Sequence, residues 1–294
     1  MEKEKGRAFA LLFATFFMWG SVYVGARLIS GMVPPLLACL RTCVGAACVS
    51  LMARKYRQVR IEKKDLRILL LIGFLGYYAT VNLVQMGIAL TGASVAALIN
   101  ALTPVSVTVF AAVVLRERIT KIKLACLALA LAGTAVITGG TQSGGELLGS
   151  LCVMISVVTW GFASVYVRKL TAKYPPVLVT AYGLCISLLF HLPTGIITYV
   201  SEGASFDRIA VPVIFYLGLA GTGVSQYTWS KCLSVLPAST CSLFYPLQAM
   251  FSALLGAWLL DEHFRPSFFL GLALICADVA LNTWESRRES MSQK

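Results

Sequence analysis

The chain has 294 residues, of which 58% are hydrophobic and only 13% charged, and its mean hydropathy is +0.79. This composition lies far from that of soluble globular domains and excludes most functions that such domains carry. A formal charge of +12 would suggest a nucleic-acid partner in a soluble protein. Here the positions of the basic residues indicate orientation in a membrane instead, and we expect no nucleic-acid partner.

Apolar runs of roughly 20 residues follow one another along the chain, and each is long enough to cross about 30 Å of hydrocarbon as a helix. In chain order we place them at 8–28, 35–53, 68–89, 92–115, 122–140, 148–168, 176–200, 210–232, 237–260 and 266–284. The runs show none of the alternation of a transmembrane barrel. The predicted fold class is an all-α polytopic membrane protein with ten transmembrane helices.

The basic residues are distributed unevenly between the two ends of these spans. Of the 25 Lys and Arg residues, all but Arg27, Arg41, Arg208 and Arg265 fall on the side that carries both termini. The positive-inside rule therefore predicts cytoplasmic N- and C-termini for a multi-pass protein of the bacterial inner or plasma membrane. The same residues can contact anionic lipid headgroups, so membrane lipid is an expected partner.

The second half of the chain repeats the first. Four pairs recur at offsets of 141 to 145 residues: Trp19-Gly20 with Trp160-Gly161, Pro34-Pro35 with Pro175-Pro176, Pro104 with Pro246, and Glu117 with Glu262. Each repeat holds five spans, an odd number, so the second copy enters the membrane from the opposite side. We therefore expect two inverted five-helix repeats, 1–141 and 142–294, an arrangement typical of carriers that work by alternating access.

These residues resemble the EamA-type carriers of the drug/metabolite transporter superfamily. The resemblance rests on the Trp-Gly pair and the Pro-Pro opening in each half, on Arg41 seven residues after Pro34, and on Pro-containing fourth helices that end in LRERIT (115–120) and LLDEHF (259–264). It implies ten helices in two five-helix repeats with both termini inside. It also implies export of amino acids, metabolites or drugs through a central cavity.

Aromatic and amide residues near the middle of the spans are the candidates for lining such a cavity. They are Trp19, Tyr23, Asn82, Gln85, Asn100, Trp160, Gln226, Tyr227, Tyr245 and Gln248. An amide that faces lipid is costly, so each should face the interior, where it binds cargo or forms a hydrogen bond between helices. A polar, aromatic lining with few charges favours a small neutral, zwitterionic or aromatic solute.

Two charges lie at membrane depth, where each costs about 2.5 to 3.5 kcal/mol at a helix centre. For Arg41 the alternatives are a hydrogen-bond donor that locks helices together and a ligand for the solute. For Asp278 they are a site of proton coupling or amine binding and a simple ion pair or snorkelling group.

Two prolines are candidate hinges, and two acidic residues are candidate gates. Pro104 and Pro246 lie inside their spans. Each forms either a hinge, where backbone carbonyls lose their helical partners, or an ordinary kink. Glu117 and Glu262 lie at span ends beside basic or polar residues. They either cap a helix or form an ion pair, or they act as gates through salt bridges that alternate.

The sequence lacks the patterns of several other functions. The nine cysteines and two histidines form no metal-ligand spacing, and no nucleotide-binding loop or nucleophile elbow occurs. We therefore expect no metal, no cofactor and no enzymatic activity, and transport that is secondary. The alternatives are a solute exchanger or importer for sugar-phosphate or nucleotide-sugar cargo and, from another class, a non-transporting receptor or intramembrane enzyme. Ala273 and Ala277 have the small-xxx-small spacing of a homodimer contact or of internal packing.

Overall fold

The regular structure of this protein is helical throughout the part that the computed structural model describes. That part comprises residues 2–29, 31–117, 119–122, 124–126, 144–203 and 208–260, with scattered positions in 128–132 and 270–284, and it contains no β-strand. The predicted spans 122–140 and 266–284 lie largely outside the described residues, as do Glu262 and Asp278.

Twelve helices account for most of the described chain. They are α1 (Glu2–Leu28), α2 (Pro34–Ala53), α3 (Lys63–Leu71), α4 (Thr80–Thr91), α5 (Ala93–Asn100), α6 (Thr103–Leu115), α7 (Gly144–Thr171), α8 (Pro176–Glu202), α9 (Ala210–Gly218), α10 (Ser225–Val235), α11 (Ala238–Ser242) and α12 (Tyr245–Leu260). Within the described residues, six helical stretches are long and apolar enough to cross a membrane. Large apolar side chains such as Val113, Val200 and Trp258 are mostly exposed, as expected for a surface that faces lipid.

Two of the spans change helix type near their middle. A π-helical segment, Ile72–Ala79, connects α3 to α4, and a second one, Leu219–Val224, connects α9 to α10. The hydroxyls of Thr80 and Thr222 donate to the carbonyl five residues earlier, at 2.8 and 3.1 Å. A π turn holds an extra residue, so the side chains beyond it are rotated by about 100° from their positions in a continuous α-helix.

The predicted spans 92–115 and 237–260 are each divided into two helices. The division falls between Asn100 and Thr103 in the first case, and between Ser242 and Tyr245 in the second. Pro104 and Pro246 are the second residues of the new helices, where the missing N–H has no helical partner to lose. The proline kinks expected from the sequence therefore take the form of helix breaks.

The two halves of the chain pack mainly against each other. Helix α1 packs on α10 and α12, α7 packs on α4 and α6, and α2 packs on α8. Glycine permits the closest of these approaches. A Cβ atom built on Gly20 would lie 2.7 Å from Phe251 Cβ, and one built on Gly161 would lie 2.7 Å from Ser106 Cβ. Each Trp-Gly dipeptide is thus the point at which one half meets the broken helix of the other.

One side of the bundle gathers the ends of several helices, and we call it the basic face. It carries the segment 54–62, Lys173 and the junction of α6 with α11. Lys173 Nζ lies 2.8 Å from Asp65 Oδ2, and the Tyr174 hydroxyl donates to the same oxygen at 2.8 Å. The carboxylates of Asp65 and Glu62 raise the pKa of Lys173 above its ordinary value. These contacts join the start of α3 and the residue before it to the loop between α7 and α8.

Candidate functional site

A cavity lies between the two halves at the level of the helix breaks. Seven of the ten residues predicted to line a cavity do line it: Trp19, Tyr23, Asn100, Trp160, Gln226, Tyr245 and Gln248. The cavity has a volume of about 70 Å³. That volume accommodates on the order of five water molecules, so a solute the size of an amino acid requires side chains or helices to move.

A hydrogen-bonded polar cluster forms one wall. The Tyr23 hydroxyl accepts hydrogen bonds from Asn100 Nδ2 at 2.7 Å and from Gln248 Nε2 at 3.0 Å. Asn100 ends α5 and Gln248 lies in the first turn of α12, so the cluster joins the helix breaks of both halves. Because the hydroxyl accepts both bonds, its own proton is available to an acceptor in the cavity.

Aromatic rings form a second wall of the cavity and a cluster behind it. The Trp19 ring lies 5.9 Å from that of Trp160 and stacks at 5.8 Å on that of Tyr245. Behind them Trp229 lies 5.7 Å from Tyr245, and Phe16 lies 4.8 Å from the same ring. The Trp160 indole N–H donates to the Tyr245 hydroxyl, which fixes the two rings relative to each other. Such tilted and offset pairs stabilise by about 0.5 to 1.5 kcal/mol each beyond burial.

Arg41 provides the single charged side chain among the described residues that line the cavity. It is 6% exposed. Its Nε donates to the Thr222 hydroxyl at 2.9 Å, and Nη2 lies 3.4 Å from the Gly221 carbonyl. Both partners belong to the second π-helical segment. Tyr182, which follows Arg41 at the 141-residue offset of the Trp-Gly pairs, is 39% exposed and lines a groove between α8 and the end of α2.

Three predicted residues lie away from this cavity. Asn82 donates to the Tyr78 carbonyl at 2.9 Å and contacts His191 Nδ1 at 3.4 Å, so it bonds within and between helices. Gln85 is 2% exposed and lines a separate, smaller cavity. Tyr227 packs against the apolar core.

Glu117 has a defined set of partners on the basic face. Arg116 adopts a left-handed conformation with φ of 55°, which ends α6 and turns the chain. The Glu117 carboxylate then accepts hydrogen bonds from the backbone N–H groups of Ala238 and Ser239 at 2.9 and 3.2 Å, and from the Ser239 hydroxyl at 2.6 Å. The acid of the first half therefore caps the first helical turn of α11 in the second half.

Several lining residues escaped the sequence analysis. Gly76 and Thr80 belong to or follow the first π-helical segment, and Val22, Val81 and Val84 complete the wall. Their residue types are ordinary for any transmembrane helix. The sequence carries no signal for them, and only the structure shows their place: a Cβ atom on Gly76 would lie 2.6 Å from Ala163 Cβ and 3.6 Å from the Trp160 ring.

We expect Tyr23→Phe to destabilise the protein by about 1 to 3 kcal/mol, because both buried amides lose their common acceptor. The measurement is the melting temperature of the purified protein in detergent. Tyr216→Phe is the matched control: it removes a hydroxyl whose one hydrogen-bond partner among the described residues is Ser21 Oγ, at 2.7 Å, from a residue that is 43% exposed. An equal effect of the two substitutions would contradict the importance of the polar cluster.

Comparison with known proteins places the chain in a family. The model of the EamA-like transporter family matches it twice, over residues 6–139 and 147–284. The chain is similar to the uncharacterized transporter YoaV of Bacillus subtilis, with 27% identity over 92% of this chain and 95% of the relative. It is also similar to a probable biotin transporter of Pseudomonas aeruginosa, with 25% identity over 92% and 96% of the two chains.

Two further similarities cover nearly the whole chain. A probable terminal-alkyne amino-acid exporter of Streptantibioticus cattleyicolor is 28% identical over 95% of both chains. A crystal structure with 22% sequence identity has a TM-score of 0.78 and covers 96% of this chain and 98% of its own, which shows a common fold. The chain belongs to the EamA-like transporter family and is a membrane transporter, not an enzyme.

Proposed function

We propose that this protein is a secondary transporter of the bacterial inner membrane that exports a small neutral, zwitterionic or aromatic metabolite, such as an amino acid, or a drug, by alternating access. The central cavity carries the proposal. It is buried and amphipathic, and both halves of the chain contribute to it at the points where their fourth spans break. Discontinuous helices around a buried site are typical of secondary transporters.

The proposed architecture is two inverted repeats of five helices, 1–141 and 142–294. Corresponding features support it: a π-helical segment in the third span of each half, a broken fourth span, and a first span that packs on the third and fourth spans of the other half. The family model also matches the chain twice. With the basic face in the cytoplasm, both termini lie inside.

We assign roles in alternating access to the helix breaks and to Glu117. The breaks before Pro104 and Pro246 are the proposed hinges. The contact of Glu117 with α11 lies on the basic face and is the proposed gate on that side. Release of the Glu117 contact would accompany opening to the cytoplasm.

The lining supports one class of cargo over the others. Sugar phosphates and nucleotide sugars require several basic groups, and Arg41 is the one charge among the described lining residues. The aromatic walls suit an apolar or aromatic group. The relative named as a probable amino-acid exporter supports the same choice.

We expect bacterial cells that express the protein to accumulate at least one metabolite outside, and a Trp19→Ala/Trp160→Ala variant to lower that accumulation by about tenfold, because the variant removes the aromatic wall of the site. Untargeted mass spectrometry of the medium measures it, at matched membrane abundance. Trp258→Ala is the control, since this tryptophan is 77% exposed and lies outside the cavity. Profiles identical to an empty-vector control, despite good expression, would contradict export.

A further inference from the structure

Arg41 has more hydrogen-bond donors than the protein uses. A guanidinium carries five N–H groups. One donates to Thr222 at 2.9 Å, and a second points to the Gly221 carbonyl at the long distance of 3.4 Å. In the described part of the chain the remaining three, including both on Nη1, have no acceptor, although the side chain is only 6% exposed and borders the cavity.

The charge of Arg41 is also uncompensated where the structure is described. No carboxylate of residues 2–29, 31–117, 144–203 or 208–260 lies within ion-pair distance of it. A buried cation without a partner is costly, and its cost falls when an anion enters the site. The Tyr23 hydroxyl proton is a further donor on the same cavity, so the site offers several donors to one acceptor group.

A hydrogen-bond acceptor without a partner in the described part of the chain lies one helical turn beyond Thr222, the residue that Arg41 contacts. Gln226 is 7% exposed and borders the cavity, and its Oε1 has no hydrogen-bond partner among the described residues. It follows the π-helical segment that holds Thr222, so one element positions both the cation and this acceptor. An ammonium or amide N–H of a solute would satisfy it.

We propose that Arg41 is a specificity-determining residue that binds the carboxylate of the cargo, and that Gln226 accepts a hydrogen bond from its amino group. The cargo class is an α-amino acid whose side chain packs against Trp19, Trp160 and Tyr245. This assignment rests on the proposed transport function and makes it more specific. Bidentate pairing explains why arginine rather than lysine occupies the position.

The test compares each of the twenty common L-amino acids with its carboxamide, which keeps the amine and the side chain but lacks the anionic group. Binding to the purified protein is measured by ligand-induced stabilisation against heat. We expect at least one acid to bind on the order of 10- to 100-fold more tightly than its amide, since hydrogen bonds to charged groups are the strong ones. This comparison uses the unaltered protein and so does not depend on a variant that folds.

Two variants separate binding from structural support. Arg41→Gln should remove the preference for the acid, so that acid and amide bind equally weakly, whereas Arg41→Lys should keep part of it. If Arg41 only locks α2 to the π-helical segment, Arg41→Gln will weaken both ligands equally and the preference will persist. That result, or an unaltered protein that binds acid and amide alike, overturns the proposal.

A proteoliposome assay distinguishes this failure from failure of the proposed function. If a neutral amide or an aromatic amine crosses the membrane while no amino acid binds, the Arg41 assignment is wrong and transport stands. If none of the acids, amides or amines binds or crosses, the Arg41 assignment falls, and the metabolite profile of the expressing cells decides the proposed transport function separately.

Discussion

Gly20→Val is expected to remove most of the folded protein. The new Cβ would lie 2.7 Å from Phe251 Cβ, 2.9 Å from the Gln248 carbonyl oxygen and 3.1 Å from the Ser252 backbone nitrogen. Two of these three atoms belong to the backbone of α12, which cannot yield as a side chain can. Overpacking of a tight core costs about 1 to 3 kcal/mol and more where backbone must shift, so we expect a loss near or above the upper value.

The measurement is the fraction of monodisperse protein in size-exclusion chromatography after detergent extraction, together with its melting temperature. Gly6→Val is the matched control, because Gly6 lies in the same helix and no atom of the described residues lies within 4 Å of its Cβ position. It carries the same change in helix propensity without the clash. If Gly20→Val behaves as Gly6→Val does, the close approach of α1 to α12 is not required for folding.

The effect should reach the cavity as well as the fold. Gly20 follows Trp19, which lines the cavity, and it faces the helix that supplies Tyr245 and Gln248. The Trp-Gly dipeptide therefore has two roles at adjacent positions: the tryptophan forms the wall, and the glycine sets the distance to the helix that carries the opposite wall.

Glu117→Ala is expected to expose Cys241 to alkylation on the order of tenfold faster than in the unaltered protein. The substitution removes the acceptor of three hydrogen bonds from Ala238 and Ser239. An unsatisfied donor costs about 1 to 3 kcal/mol, and local opening becomes more frequent by the corresponding factor. Cys241 lies in α11 and is fully buried, so it reports movement of this helix.

N-ethylmaleimide labelling with site-resolved mass spectrometry measures the rate, and exposed Cys185 in α8 is the internal reference within the same molecule. Ser239→Ala removes only the 2.6 Å hydroxyl contact and should give a smaller increase. Unchanged labelling of Cys241 in Glu117→Ala would show that the carboxylate does not hold α11 and would remove the support for a gate.

The positions of several spans were predictable because hydropathy is a local property of a segment. The stretch 8–28 lies within α1, 35–53 within α2 and 148–168 within α7. The prolines predicted to kink the fourth and ninth spans lie at helix breaks, because a missing N–H acts on its own turn wherever that turn is packed.

The sequence by itself determined a membrane protein with an amphipathic interior, and only the tertiary structure decided which polar residues share a cavity. Asn82 and Gln85 follow the π-helical segment Ile72–Ala79, whose extra residue rotates them by about 100° from the phase of an uninterrupted helix. Asn82 therefore meets His191, and Gln85 a separate cavity. Arg41 and Thr222, 181 residues apart, meet through the second π-helical segment. The rotation of each helix about its axis is set by packing against distant parts of the chain, so no local sequence pattern predicts it.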